Sequence, residues 1–517
     1  MNRILVSILF LIVGLYVDAA DLPGQDDSEL LIFRRIELSC PWLKSGNASG
    51  LSQISGPLPS EIKIDYGQSS GNYHSVFNGR SNRAFGFSSK GYRRFNNTVI
   101  FGSFNYSNSS EKELNYNNSN DALMNYPYLF ADTIGGDTYE RELFRFSAKI
   151  SARLNNVIDW GIGVNYKAGV ASQNRDPRPE NKISQVEILP GLLYKRAGLK
   201  FGANFLYEYY NEDIDVITVN KNVQSTLFQM HGLGVFTYHS SSSFFRLYQQ
   251  NKYGGGLQVE YKSSRMSNFI NSDFFYSLQT VDDGRKGSRA TWSTVKNDAR
   301  LDGVNWNLED ILEFKRGKKV NQFDLKMSTT SKIGSEYIQI LDNMGDAELE
   351  HWITLGREMK FYIMQFQASL NYHLLQNDES YRLKSLFNAG ISYHTNTEKY
   401  YLPNQSQKYS NLLAESSFLK LFYLPNGELT AGMKLRYGLN LEATQRLERT
   451  NFMIQKVYLP EFNYLTCSYI SPGVSLAYQV PFKNKSGKYF IKSDFDWVHA
   501  NNGMDRTWLS IATGITF

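Results

Sequence analysis

The sequence has no long apolar run beyond its amino terminus, few cysteines and little net charge. The run from Ile4 to Val17 covers about 14 residues, which is short of the roughly 20 that a membrane-spanning helix needs. Cys40 and Cys467 are the only cysteines. A disulfide between them and two inert thiols both stay open, whereas a Cys/His metal site is excluded. The net charge of +5 in 517 residues predicts no nucleic-acid partner.

Catalytic signatures are missing as well. The seven histidines fall in no HExxH motif, triad signature or metal spacing, and no Gly-x-Ser-x-Gly occurs. Asp494, Asp496 and His499 resemble the Asp and His pairs that some membrane proteases carry at an external rim. However, the two aspartates are ordinary i, i+2 neighbours on one face of a strand, and His499 falls on the opposite face. We therefore expect no enzyme, no cofactor and no metal ion.

The amino terminus has the pattern of an export signal. Arg3 supplies the positive charge, the apolar run follows, and small residues precede a cleavage point after Ala19. No cysteine follows the apolar run, which argues against a lipoprotein anchor. An exported chain that enters lipid without spanning helices has to cross it as a closed sheet, because only helices and barrels satisfy every backbone group there.

Two-residue alternation is what the sequence has in abundance. In the last strand one face is mostly apolar and the other small or polar; the apolar face carries Leu509, Ile511, Thr513, Ile515 and Phe517. This looks like the closing strand of a bacterial outer-membrane barrel, in which a terminal Phe is usual. Similar alternation covers 144–154, 160–170, 199–209, 429–441 and 489–497. These runs of roughly nine to fourteen residues suit strands that cross a bilayer at a tilt.

The prediction is therefore an all-β fold, an antiparallel transmembrane β-barrel of about 16 strands, with 14 to 18 allowed. Residues 1–19 are assigned to the signal peptide, 20–60 to a periplasmic leader or a small plug, and 61–517 to the barrel. Tight Asn, Gly and Pro turns near 155–156, 197–198, 425–427 and 485–487 would lie on the periplasmic side. Long connections over 107–141, 172–182, 211–224 and 442–466 would then lie outside.

Charged residues on the polar faces are the candidate lumen groups. They are Arg145, Lys149, Arg153, Lys167, Lys200, Glu208, Lys434, Arg436, Asp494 and Asp496, with Glu428 as a further counter-charge. Charges of both signs require a wet or plugged lumen, since a dry core does not tolerate them unpaired. An open, porin-like channel with this basic set would favour anionic solutes. A closed barrel would use the same groups to neutralise one another.

Three segments are candidates for loop function. PYLFADTIGGD (127–137) places Asp132, Gly135, Gly136 and Asp137 beside aromatic residues, which fits either a ligand contact or an ordered turn. RDPRPEN (175–181), with Arg175, Asp176 and Arg178, fits a rigid charged knot that pins one loop to another, or else a gate. FFRLYQ (244–249) followed by three glycines (254–256) is expected to form a loop that re-enters the wall.

Together with the terminal strand, these three segments resemble an uncharacterised family of outer-membrane β-barrels from Bacteroidota, catalogued as a domain of unknown function. The resemblance covers most of the chain from about residue 75. It implies a role in solute uptake as an accessory or channel component, or alternatively as a closed scaffold, with outer-membrane lipid, a TonB-dependent transporter or a surface lipoprotein as partners. An outer-membrane hydrolase is a third, less favoured option. The resemblance assigns no functional residues.

Overall fold

The computed structural model describes residues 31–56, 58–132, 137–220, 225–241, 243–284, 296–342, 351–379, 382–448, 451–483 and 487–517. The predicted signal peptide, residues 1–19, lies outside these ranges, as do Gly135 and Gly136. Within the described residues, none of the helices combines the length and apolarity that a membrane-spanning helix requires.

The strands form one closed antiparallel sheet of 18 strands and one separate sheet of three. The closed sheet consists of β1 (Ser60–Gly71), β2 (Ser81–Phe95), β3 (Thr98–Leu114), β5 (Asp137–Arg153), β6 (Ile158–Gln173), β7 (Arg178–Arg196), β8 (Leu199–Ile217), β11 (Ser243–Lys262), β12 (Met266–Gly284), β13 (Lys296–Arg316), β14 (Lys319–Asp342), β15 (His351–Asn377), β16 (Leu383–Tyr400), β17 (Gln405–Leu424), β18 (Gly427–Arg446), β19 (Tyr469–Pro481), β20 (Lys488–Ala500) and β21 (Asp505–Thr516). The small sheet consists of β4 (Phe130–Asp132), β9 (Ser225–Gly232) and β10 (Val235–Ser241).

The helical elements that the structure describes come before β1 or in the connections between strands. They are α1 (Leu31–Ser39), the 3-10 helices Pro41–Lys44 and Ala48–Gln53, α2 (Ala122–Asn125), a π-helix (Ile454–Tyr458) and α3 (Leu459–Leu465).

The barrel closes where the last strand meets the first. β21 pairs with β1 from Glu61 opposite Thr516 to Gly71 opposite Arg506. At the end of this seam, Ser60 and Phe517 donate their backbone N–H groups to each other's carbonyl oxygens, at 2.8 and 3.0 Å. Closure leaves the 18-stranded sheet without a free edge, and every strand in it has two neighbours. We call the end of the barrel at which Ser60 and Phe517 meet, where the short turns also lie, the inner end. The opposite end is the outer end.

The alternation predicted from sequence is confirmed as an apolar outside and a polar inside. On β6, Trp160, Ile162 and Val164 are 38%, 37% and 39% exposed on the outer surface. Their neighbours Gly161, Gly163 and Asn165 face the lumen. Leu509 and Ile511 of the closing strand are exposed on the same outer surface. An apolar exterior around a polar interior is the reverse of a soluble barrel's pattern and suits a lipid environment.

The strand number was predicted too low. There are 18 strands rather than about 16, because many connections are shorter than expected. The supposed long connection 172–182 is only the link between Gln173 and Arg178. The segment 244–256 is not a re-entrant loop but the interior of β11.

Strand lengths were also underestimated. The strands of the closed sheet run from 12 residues, as in β1, to 27 residues in β15. Backbone pairing continues past the apolar belt, where both faces of a strand meet water and the alternation of side chains fades. Alternation therefore marks only the part of each strand inside the belt.

The two cysteines do not form a disulfide. Cys40 is a buried free thiol near the inner end, and Cys467 is a partly exposed free thiol in the outer connection between β18 and β19.

Candidate functional site: a lumen closed at both ends

The first closing element, which we call the inner plug, is the segment 33–54, and it lies inside the inner half of the barrel. Trp42 is fully buried, and its indole Nε1 donates to Glu260 Oε2 of β11 at 2.7 Å. The Trp42 ring also meets Phe269 of β12 edge-on, with the centroids 5.1 Å apart. An indole buried with its N–H satisfied contributes both apolar area and orientation. Trp42 is therefore the central anchor of the plug.

Ions and amides extend this attachment around the wall. Lys44 Nζ lies 2.6 Å from Asp324 Oδ2 of β14 and 3.8 Å from Glu309 Oε1 of β13. The Asn47 amide nitrogen donates to the Leu192 carbonyl at 2.9 Å. The Ser52 hydroxyl donates to Asp159 Oδ2 of β6 at 2.6 Å.

The plug also reaches the far wall of the barrel. Leu38 of α1 packs in one buried cluster with Leu375 of β15 and Leu386 of β16. Phe33 lies beneath the ammonium of Lys90 of β2, which is 4.0 Å from the ring centroid. The plug therefore crosses the lumen rather than following one side of it.

The wall is shaped to receive the plug by glycines. A Cβ atom at Gly161 would lie 2.4 Å from the Ser49 nitrogen, and one at Gly191 would lie 2.1 Å from Asn47 Oδ1. Neither distance is compatible with a side chain. At these positions glycine serves the close approach of the plug, through its backbone at Gly161 and through the Asn47 side chain at Gly191, and not a turn.

The second closing element, the outer cap, consists of the outer connections 115–132, 225–241 and 451–468. The motif that contains PYLFAD supplies its centre, where Tyr128, Leu129 and Phe130 are fully buried. Phe130 stacks on Phe244 of β11, with the centroids 4.7 Å apart and the rings 4° from parallel. Two of the three segments singled out from sequence therefore pack against each other.

Arg246 of β11 fastens this motif to the wall. Its Nε and Nη2 donate to the two carboxylate oxygens of Asp283, both at 2.6 Å, and Nη2 also donates to Asp298 at 2.9 Å. Its Nη1 donates to the carbonyl oxygens of Tyr128 and Leu129, both at 3.2 Å. A fully buried guanidinium is stable here because two carboxylates balance it and its N–H groups find acceptors.

A second wall carboxylate, Glu212 of β8, holds the start of the cap. It accepts hydrogen bonds from the Asn125 amide, the Asn181 amide and the Tyr210 hydroxyl, each at 2.7 Å. Glu398 of β16 accepts from the Tyr126 hydroxyl at 2.6 Å on the other side of the barrel. Burial, followed by the neighbouring Glu398 carboxylate, raises the pKa of Tyr126 well above its usual value, so this hydroxyl stays a donor.

The third connection of the cap docks through α3. The Glu461 carboxylate accepts from the Val76 backbone N–H and from the Ser75 hydroxyl, both at 2.8 Å, in the connection between β1 and β2. Burial raises the pKa of Glu461 to about 7, although these two donors act in the opposite direction.

Between plug and cap lies a polar space that we call the lumen chamber. On β8, Gly202 borders the plug and Glu212 holds the cap. These two residues are ten positions apart, which corresponds to about 34 Å along the strand. At intermediate heights, inward groups remain accessible to solvent, including Gln367, Glu415 and Lys326, whose side chain is 51% exposed. The chamber is therefore hydrated rather than packed.

The predicted lumen residues fall into two groups. Several are engaged in ion pairs. They are Lys200 with Glu260 at 2.6 Å, Lys434 with Asp496 at 2.9 Å, Asp494 with Lys492 at 3.2 Å and Glu208 with Lys252 at 3.7 Å. Arg436 lies on the same face of β18 as Lys434, and Arg153 is exposed at the inner end of β5. Arg145, Lys149 and Lys167 form a separate patch on β5 and β6.

The predicted loop residues lie in the outer region. Asp132 is buried and accepts from the Asn118 amide at 3.1 Å. Asp176 pairs with Arg178 at 2.8 Å and accepts from the Asn220 backbone N–H at 2.9 Å. The RDPRPEN segment thus joins one outer connection to another. Arg175 belongs to the same short link, and nothing is described of the Asp137 side chain.

Sequence reasoning missed the residues that close the lumen. Trp42, Lys44, Asn47 and Glu212 were not singled out, and Arg246 was noted only as part of its motif. A signal existed for Arg246, a charge inside an otherwise aromatic run. Among the residues that the structure describes, no group of His, Cys, Asp and Glu side chains is arranged to hold a metal ion.

The fold and this site define a class of protein: a large antiparallel β-barrel with a polar chamber between an inner plug and an outer cap. Within that class the chain belongs to the Family of unknown function (DUF6850), whose sequence model matches residues 48–517. The resemblance drawn from the motifs is confirmed at this level, whereas the assignment to Bacteroidota stays a prediction. No curated protein matches the chain significantly.

Solved structures with similar folds are outer-membrane transporters and receptors. The outer-membrane transporter YddB from Escherichia coli has 9% identity and a TM-score of 0.38, over 88% of this chain and 80% of that chain. BauA, the ferric preacinetobactin receptor from Acinetobacter baumannii, has 8% and 0.38, over 89% and 80%. The RagAB peptide transporter has 6% and 0.40, over 90% and 87%. At TM-scores below 0.5 these likenesses carry no functional argument.

Proposed function

We propose that this chain is an outer-membrane β-barrel that takes part in solute uptake and rests in a closed state. The lumen chamber between the inner plug and the outer cap is the observation that carries the proposal. A barrel with a purely structural interior has no need of a hydrated compartment. A chamber with a closure at each end suits a solute that is admitted on one side and released on the other.

The polar contacts of the inner plug support movement of this closure. The inner plug is held by polar contacts such as Trp42–Glu260, Lys44–Asp324 and Ser52–Asp159, and also by a buried apolar cluster that its side chains share with the wall. Partners of this kind are rehydrated when they separate, so their net contribution to stability is far smaller than their Coulomb energy. These polar contacts can therefore separate at low cost, and the apolar cluster is the part of the attachment whose exposure opposes opening.

The outer-membrane location rests on the apolar belt around a polar lumen, and membrane lipid is then the immediate neighbour of the outward side chains. The role is non-enzymatic in this proposal. Asp494 and Asp496 each face a lysine, and His499 pairs instead with Asp505 at 2.7 Å. That arrangement offers no shared acid and base.

The competing function is a permanently closed scaffold that binds a TonB-dependent transporter or a surface lipoprotein. The same double closure favours it, because a lumen sealed at both ends conducts nothing by itself. The two functions differ in whether loosening a closure opens a passage.

Conductance in planar lipid bilayers separates them. We expect the intact protein to be nearly silent in KCl, and the double variant Trp42→Ala/Lys44→Met to show stepwise conductance. Lys182→Met, which removes an exposed surface cation paired with Glu180, serves as the control and should stay silent. Steady conductance by the intact protein would contradict the closed resting state. A double variant whose plug is released, as judged by protease access, but which still does not conduct would favour the scaffold.

A further inference from the structure

The strongest unexplained feature of the chamber is a patch of three cations on one wall, which we call the basic patch. Arg145 of β5 lies directly opposite Lys167 of β6 in the strand register. Directly opposed residues hold their Cβ atoms about 4.5–5.5 Å apart, and like charges at such positions repel each other. Lys149 lies four residues along β5 on the same face, over Gly163. The patch thus concentrates positive charge where the sheet geometry disfavours it.

Neutralisation inside the patch is weak compared with the rest of the lumen. Lys200 and Lys434 each have a carboxylate oxygen within 3 Å. By contrast, within the described part of the chain Arg145 donates only one long hydrogen bond, to the Asn105 side-chain oxygen at 3.4 Å. Lys149 has no hydrogen bond or ion pair among the described residues. Lys167 has a single ion pair with the residues that the structure describes, at 3.8 Å.

A polar atom without a partner lies in the same place. Ser147 is between Arg145 and Lys149 on the inward face of β5, is fully buried, and its hydroxyl has no hydrogen-bond partner among the described residues. Opposite Ser147, the Asn165 amide nitrogen donates to Glu187 of β7, and the Asn165 side-chain oxygen has no partner among the described residues. Buried polar groups without partners are uncommon, and a bound ligand is one of the usual reasons for them.

Among the described residues, the one carboxylate that forms an ion pair with the patch belongs to the outer cap. Other wall carboxylates, such as Glu187 near Lys149 and Glu208 near Lys167, act on these cations from farther away. Asp121 Oδ2 lies 3.8 Å from Lys167 Nζ, while Oδ1 accepts from the Met124 backbone N–H at 3.1 Å and so caps α2. Asp121 is also the carboxylate that acts electrostatically on Arg145. The chain's own carboxylate therefore occupies the outer edge of a site for an anion.

We propose that the basic patch is an anion-binding subsite of the lumen chamber and that Asp121 competes with the bound anion. The ligand carries a carboxylate or a phosphate group, which Arg145 and Lys167 bind together and to which the Ser147 hydroxyl donates. When the anion takes the place of Asp121, the cap loses one attachment to the wall. Binding and cap release are then coupled. The inference rests on the proposed uptake function and specifies its substrate class as anionic.

The test is isothermal titration of the full-length protein in lipid nanodiscs with two probes, inorganic phosphate and succinate. We expect Asp121→Asn to bind the preferred probe about tenfold more tightly than the unmodified protein, because the competing charge is removed while an amide oxygen still caps α2. Arg145→Gln and Lys167→Gln should abolish binding. Lys252→Gln, which removes a lumen cation already paired with Glu208, is the matched control and should bind normally. The preferred probe tells whether the group is a phosphate or a carboxylate.

Three outcomes would overturn the inference: no binding by either the unmodified protein or Asp121→Asn, unchanged affinity in Asp121→Asn, or retained binding in the Arg145 and Lys167 variants. Thermal unfolding of each variant checks that the barrel is intact, and Lys167→Arg, which keeps the charge, should retain binding. The conductance experiment is independent. A barrel whose loosened plug conducts while no anion binds refutes only the subsite, and a barrel that binds anions but never conducts refutes only uptake.

Discussion

Arg246 and Asp283 form a bidentate ion pair beneath the outer cap, with both N–O distances at 2.6 Å and the guanidinium fully buried. The pair joins two neighbouring strands of the wall, β11 and β12. Because Arg246 also donates to the Tyr128 and Leu129 carbonyls, the same guanidinium joins the wall to the cap.

Replacing Arg246 should therefore release the cap and destabilise the barrel. Arg246→Met leaves Asp283 and Asp298 buried without the guanidinium that both contact, and we expect a loss of about 3–5 kcal/mol in the free energy of unfolding. Urea unfolding in micelles measures this, and limited chymotrypsin digestion reports exposure of the Tyr128 segment. Arg178→Met, at an exposed ion pair, should change neither. A cap as resistant to chymotrypsin as before would show that Arg246 does not hold it.

The fit of the inner plug against the wall can be tested through Cys40, which is buried in the plug and serves as a reporter. In a Cys467→Ser background, Gly191→Leu should raise the rate of maleimide labelling at Cys40 by about tenfold or more, since overpacking costs about 1–3 kcal/mol. Gly67→Leu is the matched control, because a Cβ at this wall glycine meets nothing within 4 Å. Equal labelling in the two variants would mean that the plug does not depend on close approach at Gly191.

The wall was predictable from sequence because its cause is local. Residues such as Leu429 to Leu441 alternate one by one between lipid and lumen, and this period of two is imposed by the strand itself. Turn lengths and strand parity placed the short turns together at one end of the barrel, and the periplasmic location of that end stays a prediction. Alternation did not give the strand number, because it marks only the part of each strand inside the apolar belt. In addition, several outer links, such as the one after Gln173, are shorter than a typical loop.

The closures were not predictable in the same way. The acidic partners of Arg246 lie 37 and 52 positions away, and the carbonyls that it binds lie more than 100 positions away. No spacing rule relates them. Trp42 and Asn47 sit in a segment without periodicity, and their partners Glu260 and Leu192 become neighbours only when the barrel closes. Their residue composition singled out the PYLFAD and FFRLYQ segments, but did not predict their contact with each other.

That contact makes a further prediction. Phe130 and Phe244 stack almost in parallel, and an aromatic pair of this kind contributes about 0.5–1.5 kcal/mol beyond its buried area. A double-mutant cycle with Phe130→Leu and Phe244→Leu should give a coupling energy of that size in urea unfolding. A cycle between Phe130→Leu and Phe495→Leu, an outward residue of β20, should give none. Additive effects in the first cycle would show that the two motifs are neighbours without being energetically linked.

The attachment of α3 should weaken as the pH rises. The pKa of Glu461 in the folded protein, about 7, is above its ordinary value of 4.5 because burial disfavours the carboxylate. Its stabilising contribution is therefore fully present below about pH 4.5 and is lost as the pH rises through 7. Thermal unfolding between pH 5 and 8 should show a decline that Glu461→Gln removes, since glutamine keeps the acceptor for Val76 and Ser75 but carries no charge. Glu448→Gln, in the same outer connection and partly exposed, should leave the decline in place. A pH profile that Glu461→Gln does not flatten would assign the decline to another group.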